Sequence, residues 1–258
     1  MNKYLNEKNI KDYWEKCTPM SFAAEKWSYE QKREFRYTLQ DYMHSSFGFG
    51  EWSGKEVLEV GCGSGVDALE FARYGAKVTA TDMTDNAVNL TNQMVKEAKL
   101  PVKVIQASAI NLPFPDASFD CVYSYGVLHH IPDIEKVLYE IKRVMKENAQ
   151  LLVMLYHRDS LLHAYSIIYR HGIKSELLSK GVCTEQDLVS KYSERIEGCP
   201  YTKVYTKEEA RALFSRYFND VDITVRYNVI DTDKQRKVKF KLSDEWELGW
   251  HLILKAMK

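Results

Sequence analysis

Residues 55–82 run Lys55-Glu-Val-Leu-Glu-Val-Gly-Cys-Gly-Ser-Gly-Val-Asp-Ala-Leu-Glu-Phe-Ala-Arg-Tyr-Gly-Ala-Lys-Val-Thr-Ala-Thr-Asp82 and read as strand, glycine loop, helix, strand and acid. Val57, Leu58 and Val60 form the short apolar run of a buried parallel strand. Gly61, Gly63 and Gly65 let the backbone turn sharply and approach a ligand closely, because no Cβ intervenes. Ala68, Leu69, Phe71 and Ala72 supply a buried helix side, Gly75 a stop, and Val78 and Ala80 a second strand ending at Asp82.

A carboxylate roughly 20 residues beyond such glycines, at the tip of the next strand, suits a ribose. It accepts hydrogen bonds and donates none, so a cis-diol is its natural partner. The ligand is therefore expected to be a nucleoside. The dinucleotide fingerprint is G-x-G-x-x-G. Here the pattern is G-x-G-x-G, with Val66 where that fingerprint has its third glycine, which disfavours an NAD-dependent reductase. Glu59 precedes the loop and suits a cationic head better than a pyrophosphate. S-adenosylmethionine (SAM) carries a ribose, an ammonium and a sulfonium, and no phosphate.

With Leu112-Pro-Phe-Pro-Asp116, Ser118-Phe-Asp120 and Val127-Leu-His-His-Ile-Pro-Asp133 added to Val57–Gly65, the sequence resembles the class I SAM-dependent methyltransferases. The likeness is to their small-molecule, ubiquinone-type group and spans roughly residues 50 to 156. It implies a Rossmann-like α/β fold, a seven-stranded, mostly parallel sheet with helices on both faces and an antiparallel final strand. It also implies a cofactor site at Glu59, Gly61, Cys62, Gly63, Gly65, Asp82, Met83, Ser108, Ala109, Ser124 and Tyr125. The family usually has an acid at the position of Ser108, facing the adenine amino group; a serine accepts there without charge assistance. The Asp/Asn-Pro-Pro-aromatic tetrapeptide typical of enzymes that methylate nucleic-acid bases is not present after Phe119–Ser124.

The 258 residues, 45% of them hydrophobic, suffice for a core domain with additions. A formal net charge of zero argues against nucleic acid or an anionic membrane as partner. No apolar segment follows Met1, and the longest apolar run, near Leu151–Tyr156, is too short to span a bilayer. Cys17, Cys62, Cys121, Cys183 and Cys199 are odd in number and widely spaced, which fits a reducing, cytoplasmic setting better than disulfides or zinc.

Residues 1–48 are expected to be a helical lid, with helices at Asn9–Glu15 and Glu25–Met43 and with Tyr13, Trp14, Phe35, Leu39 and Met43 packing inward. That the lid covers bound SAM is implied by the resemblance; simple packing is the other reading. Residues 49–157 form the SAM-binding core. Asp85 is the expected cap of a helix to about Lys99, Val102–Gln106 the third strand, and Asp133 the start of a periodic helix through Val144. Residues 158–204 are an inserted cap over the acceptor or a peripheral decoration, with helices near Leu161–Ile168 and Glu185–Tyr192 and a helix end at Leu178–Gly181. Residues 205–258 complete the sheet through a capping box at Thr206 and Glu209, strands at Val221–Ile230 and Gln235–Leu242, and a closing strand at Trp250–Ala256. Lys237, Lys239 and Lys241 form the solvent face of an edge strand, or else face an anionic acceptor.

Methyl transfer from a sulfonium expels a neutral thioether and needs no acid; alignment and exclusion of water dominate. A base is required only where the acceptor loses a proton. His130, His157 and His129 are the candidates, His130 and His157 at adjacent strand ends, against structural roles for each. Tyr125 and Tyr156 either orient the acceptor or pack the core. The expected activity is methylation of an oxygen or nitrogen of a small molecule, yielding S-adenosylhomocysteine. An RNA or protein methyltransferase and a SAM-binding protein without transfer activity remain as alternatives, and the oligomeric state stays open.

Overall fold

The computed structural model describes residues 6–17, 27–194, 198–231, 237–239 and 246–258. The chain begins with α1 (Glu7–Lys16), α2 (Tyr29–Leu39) and the short α3 (Met43–Phe47). The core then alternates β1 (Glu56–Val60), α4 (Val66–Arg73), β2 (Lys77–Asp82), α5 (Asp85–Ala98), β3 (Val102–Gln106), β4 (Phe119–Tyr125), α6 (Ile134–Val144) and β5 (Met145–Tyr156). A wide π-type helical stretch (Leu162–Ile173) and α7 (Glu185–Tyr192) follow. The chain finishes with α8 (Lys207–Phe214), β6 (Asn219–Arg226), β7 (Val229–Asp231), β8 (Lys237–Lys239) and β9 (His251–Met257).

Seven strands form one sheet in the order β3-β2-β1-β4-β5-β9-β6. Pairings from β3 to β5 are parallel, and β9 runs antiparallel between β5 and β6. The order reverses between β1 and β4, and in such sheets ligands bind outside the carboxyl ends of the strands at that switch point. Strand residues alternate between two apolar layers. Val57, Tyr123, Leu152 and Met154 pack with Ala68 and Phe71 of α4. Leu58, Val122 and Val153 pack with Val137, Leu138 and Ile141 of α6.

Several expectations shift. Among the described residues, the single helix expected at Glu25–Met43 is broken into α2 and α3. Ser28 and Gln31 make a capping box that starts α2 at Tyr29, and α2 stops at Leu39; Glu25 and Lys26 lie outside the described residues. Phe35 and Leu39 are 37% and 38% exposed, so α2 does not dock by an apolar stripe. Met43 is fully buried as expected. Thr84, not Asp85, caps α5, its hydroxyl accepting from the Ala87 amide at 3.3 Å. Leu178–Gly181 lies in turns rather than at a helix end. The strand expected at Val221–Ile230 breaks at Tyr227, whose φ is +71°. Of the strand expected at Gln235–Leu242 only 237–239 is described, and it pairs with β7 in a separate ribbon, not at an edge of the main sheet. There Lys239 meets Asp41 at 2.7 Å.

Candidate functional site

The glycine loop joins β1 to α4 beneath the switch point. Gly61 has φ +79°, and a Cβ there would lie 2.2 Å from a Val127 methyl, so both conformation and contact require glycine. Asp82, at the end of β2, braces the loop: Oδ2 accepts from the Gly63 amide at 3.1 Å. Its Oδ1 accepts from the amide and hydroxyl of Thr84, at 3.0 and 2.8 Å. A carboxylate has about four acceptor sites, so Asp82 keeps capacity for a ligand hydroxyl. Glu59 is 3% exposed, and its Oε2 has no hydrogen-bond partner. Burial, then the nearby charge of Asp67, pushes its carboxyl well above the usual range. A buried carboxyl with one orphan oxygen, two residues before the loop, fits a cationic group of a ligand.

Beside it lies a polar network. Asp67 of α4 accepts from Arg36 Nε and Nη2 at 3.1 and 2.6 Å, from the Tyr37 hydroxyl at 3.0 Å and from the Tyr123 hydroxyl at 2.8 Å. Arg33 pairs in the same way with the fully buried Glu70, at 2.5 and 2.7 Å. These two ion pairs, together with the packing of Tyr29 on Leu69, fasten α2 to α4. The Arg36 guanidinium also sits 4.2 Å from the centre of the Tyr125 ring, a cation–π contact at the end of β4.

Past Tyr125, a single 3-10 turn (Leu128–His130) buries His129 and His130 at 0% and 3% exposure. The His129 ring lies 3.9 Å from that of Tyr156 and 4.3 Å from that of His130. His130 Nδ1 is 3.1 Å from the Tyr201 carbonyl, which fixes the proton on Nδ1, and its Nε2 stands 3.5 Å from Glu194 Oε1. The Tyr156 hydroxyl donates to Glu194 at 2.8 Å. On the far side of Tyr125, Tyr42 bonds both the Tyr125 hydroxyl and His251 Nδ1 at 2.5 Å.

Burial holds both imidazoles below their ordinary value; the neighbouring His130 and His251 add to the effect at His129. The folded state therefore refuses a proton that the unfolded chain takes up near pH 6.5. Stability falls as the pH drops through the window below about 6.5. The urea midpoint is expected to decline from pH 7 to pH 5, and less steeply in His129→Gln. An identical slope in wild type and variant, measured by urea titration at each pH, would contradict this assignment.

Helix α1 crosses the carboxyl ends of these strands. Glu15 accepts from the amides of Asp85 and Asn86 at 3.0 and 2.7 Å, and Lys11 pairs with Asp85 at 3.2 Å. Trp14 meets the His130 ring edge-on at 4.8 Å. At the other end Ser108 donates its hydroxyl to Glu7. An acid thus reaches the Ser108 position from α1, where the strand itself carries none.

The remaining expected site residues are placed as follows. Cys62 is buried, with its sulfur 3.4 Å from the Thr91 hydroxyl. Met83 is half-buried and its carbonyl accepts from Gln106. Ala109 packs on the α6 layer. Ser124 spends its hydroxyl proton on the Val60 carbonyl at 2.9 Å. His157 does not join His129 and His130: consecutive strand residues face opposite sides, and Tyr156 takes their side. His157 Nδ1 bonds the Gly249 carbonyl at 2.9 Å instead, and the ring borders a cleft of about 440 Å³ with Lys207 and Trp246. Glu7, Arg36, Asp67, Glu194 and His251 are functional candidates that sequence reading missed. For Asp67 alone there was a signal, a charge on the buried stretch of α4.

A glycine loop at the switch point, a strand-end acid, and this strand order define a class I methyltransferase fold. Residues 58–153 match the family model described as methyltransferase domain. The sterol 4-C-methyltransferase strm-1 of Caenorhabditis elegans is 34% identical over 100 residues, 37% of this chain and 29% of that protein. The ubiquinone biosynthesis O-methyltransferase of Coxiella burnetii is 28% identical over 129 residues, 50% of this chain and 54% of that one. The chain thus spans from 29% to 54% of the length of these curated relatives. A SAM-dependent methyltransferase structure from Methanosarcina mazei superposes with a TM-score of 0.60 at 21% identity, over 84% of this chain and 96% of that one. Among the described residues no helix is long and apolar enough to cross a membrane.

Proposed function

We propose that the protein is a SAM-dependent methyltransferase acting on an oxygen or nitrogen of a small-molecule acceptor. The observation that carries the cofactor assignment is the orphan Glu59 oxygen in front of a loop braced by Asp82. Glu59 would hold the ammonium, Asp82 the ribose hydroxyls, and Ser108 with Glu7 the adenine amino group. The bound cofactor supplies an activated methyl group on a sulfonium. The small-molecule character rests on relatives named for sterol and ubiquinone methylation and on the neutral charge balance.

The chain's own residues then align and exclude water. Tyr125, locked from one side by Arg36 and from the other by Tyr42, is a rigid wall at the end of β4. Helix α1 closes over the strand ends, and Trp14 screens His130 from solvent. His129 and His130, kept neutral by burial, offer ring nitrogens on the acceptor side. His157 plays no part there.

Calorimetric titration with S-adenosylhomocysteine, with NAD as control, tests the cofactor half; binding of NAD but not S-adenosylhomocysteine would overturn it. Glu59→Gln should weaken S-adenosylhomocysteine binding by about 1.5–3 kcal/mol, the range for a hydrogen bond to a charged group. The same change removes a buried, partly unsatisfied carboxylate, so the ligand-free variant is expected to unfold at higher urea than wild type. A variant that loses stability and keeps affinity would place Glu59 in the scaffold instead.

A further inference from the structure

One cluster at the acceptor side is not accounted for by methyl transfer alone. His129 has no hydrogen-bond partner on either ring nitrogen, and His130 has none on Nε2. Both rings are at least nine-tenths buried. An unsatisfied buried polar atom costs about 1–3 kcal/mol, and three share this spot. Glu194 joins them: one ligand atom from each of His129, His130 and Glu194 falls within 4.8 Å of the others.

We propose that His129, His130 and Glu194 form a binding site for one divalent transition-metal ion of the zinc class. The donor set is two imidazole nitrogens and one carboxylate oxygen, the composition of three-ligand zinc sites that keep a position open. Metal–ligand bonds of about 2.1 Å place tetrahedral donor atoms about 3.4 Å apart. His130 Nε2 and Glu194 Oε1 already stand at 3.5 Å, so only His129 has to close in.

The surroundings match what metal ligands need. A ligating imidazole usually donates its second nitrogen to a carbonyl, which fixes the tautomer. His130 does this through Nδ1 to the Tyr201 carbonyl at 3.1 Å, leaving the Nε2 lone pair free. Tyr156 donates to Glu194 at 2.8 Å and orients the carboxylate. Burial favours the neutral rings, which are the metal-binding form. Sequence spacing hid the site, because Glu194 lies 64 positions beyond His130 and no short ligand motif links them.

The open position takes an oxygen or nitrogen of the acceptor, and this step rests on the methyltransferase reading. A hydroxyl drawn there releases its proton to solvent more readily. The oxygen–methyl bond then forms as the methyl–sulfur bond breaks, with the electron pair staying on sulfur.

The test uses the full chain, stripped with a chelator and titrated with cobalt(II) while visible absorption is followed. Zinc content after gel filtration gives the stoichiometry. One equivalent per chain is expected. Binding should weaken at least tenfold in His129→Ala, His130→Ala and Glu194→Gln, and about tenfold in Tyr156→Phe, which removes only the orienting hydroxyl. Far-UV circular dichroism checks that each variant is folded; Glu194→Gln and Tyr156→Phe keep side-chain volume and carry the test if an alanine variant is not. No metal bound by the wild type, or binding unchanged across the folded variants, overturns the site. S-adenosylhomocysteine titration of the stripped protein runs in parallel. Metal bound without S-adenosylhomocysteine would sink the methyltransferase reading and leave the metal site standing.

Discussion

Asp67→Ala is expected to cost about 3–5 kcal/mol of folding stability, the range for removing one partner of a buried ion pair. Asp67 is 6% exposed and accepts four hydrogen bonds, from Arg36, Tyr37 and Tyr123. Its loss leaves a guanidinium and two hydroxyls without their acceptor in the layer between α2 and α4. The comparison pair is Arg143 with Asp116, whose carboxylate is 78% exposed; Asp116→Ala should change stability by no more than about 1 kcal/mol. Urea unfolding of both variants decides the matter. Equal, small losses would mean that the Asp67 network contributes nothing beyond a surface contact, and that α2 is held some other way.

Asp82→Ala should weaken S-adenosylhomocysteine binding by about 2–4 kcal/mol, the loss of two charge-assisted hydrogen bonds. That is roughly 30- to 1,000-fold in dissociation constant. The structure adds a second contribution, because the same carboxylate braces the Gly63 amide and Thr84. Asp82→Asn separates the two: its carbonyl oxygen still takes the Gly63 or the Thr84 amide, while the charge that favours a ribose diol is gone. Calorimetry on both variants is the measurement. Unchanged affinity in Asp82→Ala would remove the ribose assignment and with it the cofactor.

The unit of strand, glycine loop, helix and strand was legible because its determinants are local. Turn glycines, an apolar strand and an acid at fixed spacing lie within 28 residues, and each is dictated by backbone geometry. Helix α6 was legible for a similar reason: Ile134, Val137, Leu138, Ile141 and Val144 are its buried residues. Helix α2 was misread because its buried side is largely polar, although Tyr29 joins an apolar cluster. Tyr29 and Lys32 are buried while Phe35 and Leu39 face outward, and the attachment runs through Arg33 and Arg36 to carboxylates more than 30 positions away. Apolar periodicity is blind to such a face. His157 faces away from His129 and His130 although its strand end was right, since one step along a strand reverses the side a residue faces. Glu194 and His251 reach the site only through tertiary packing, from a segment after α7 and from an antiparallel strand, so no spacing rule points to them.

Helix α1 touches Ser108 with Glu7 at one end and His130 with Trp14 toward the other. On the methyltransferase reading proposed above, one cover would lie over both the cofactor and the acceptor. Displacing it for one ligand would expose the other, and exchange of both would wait on a single opening event.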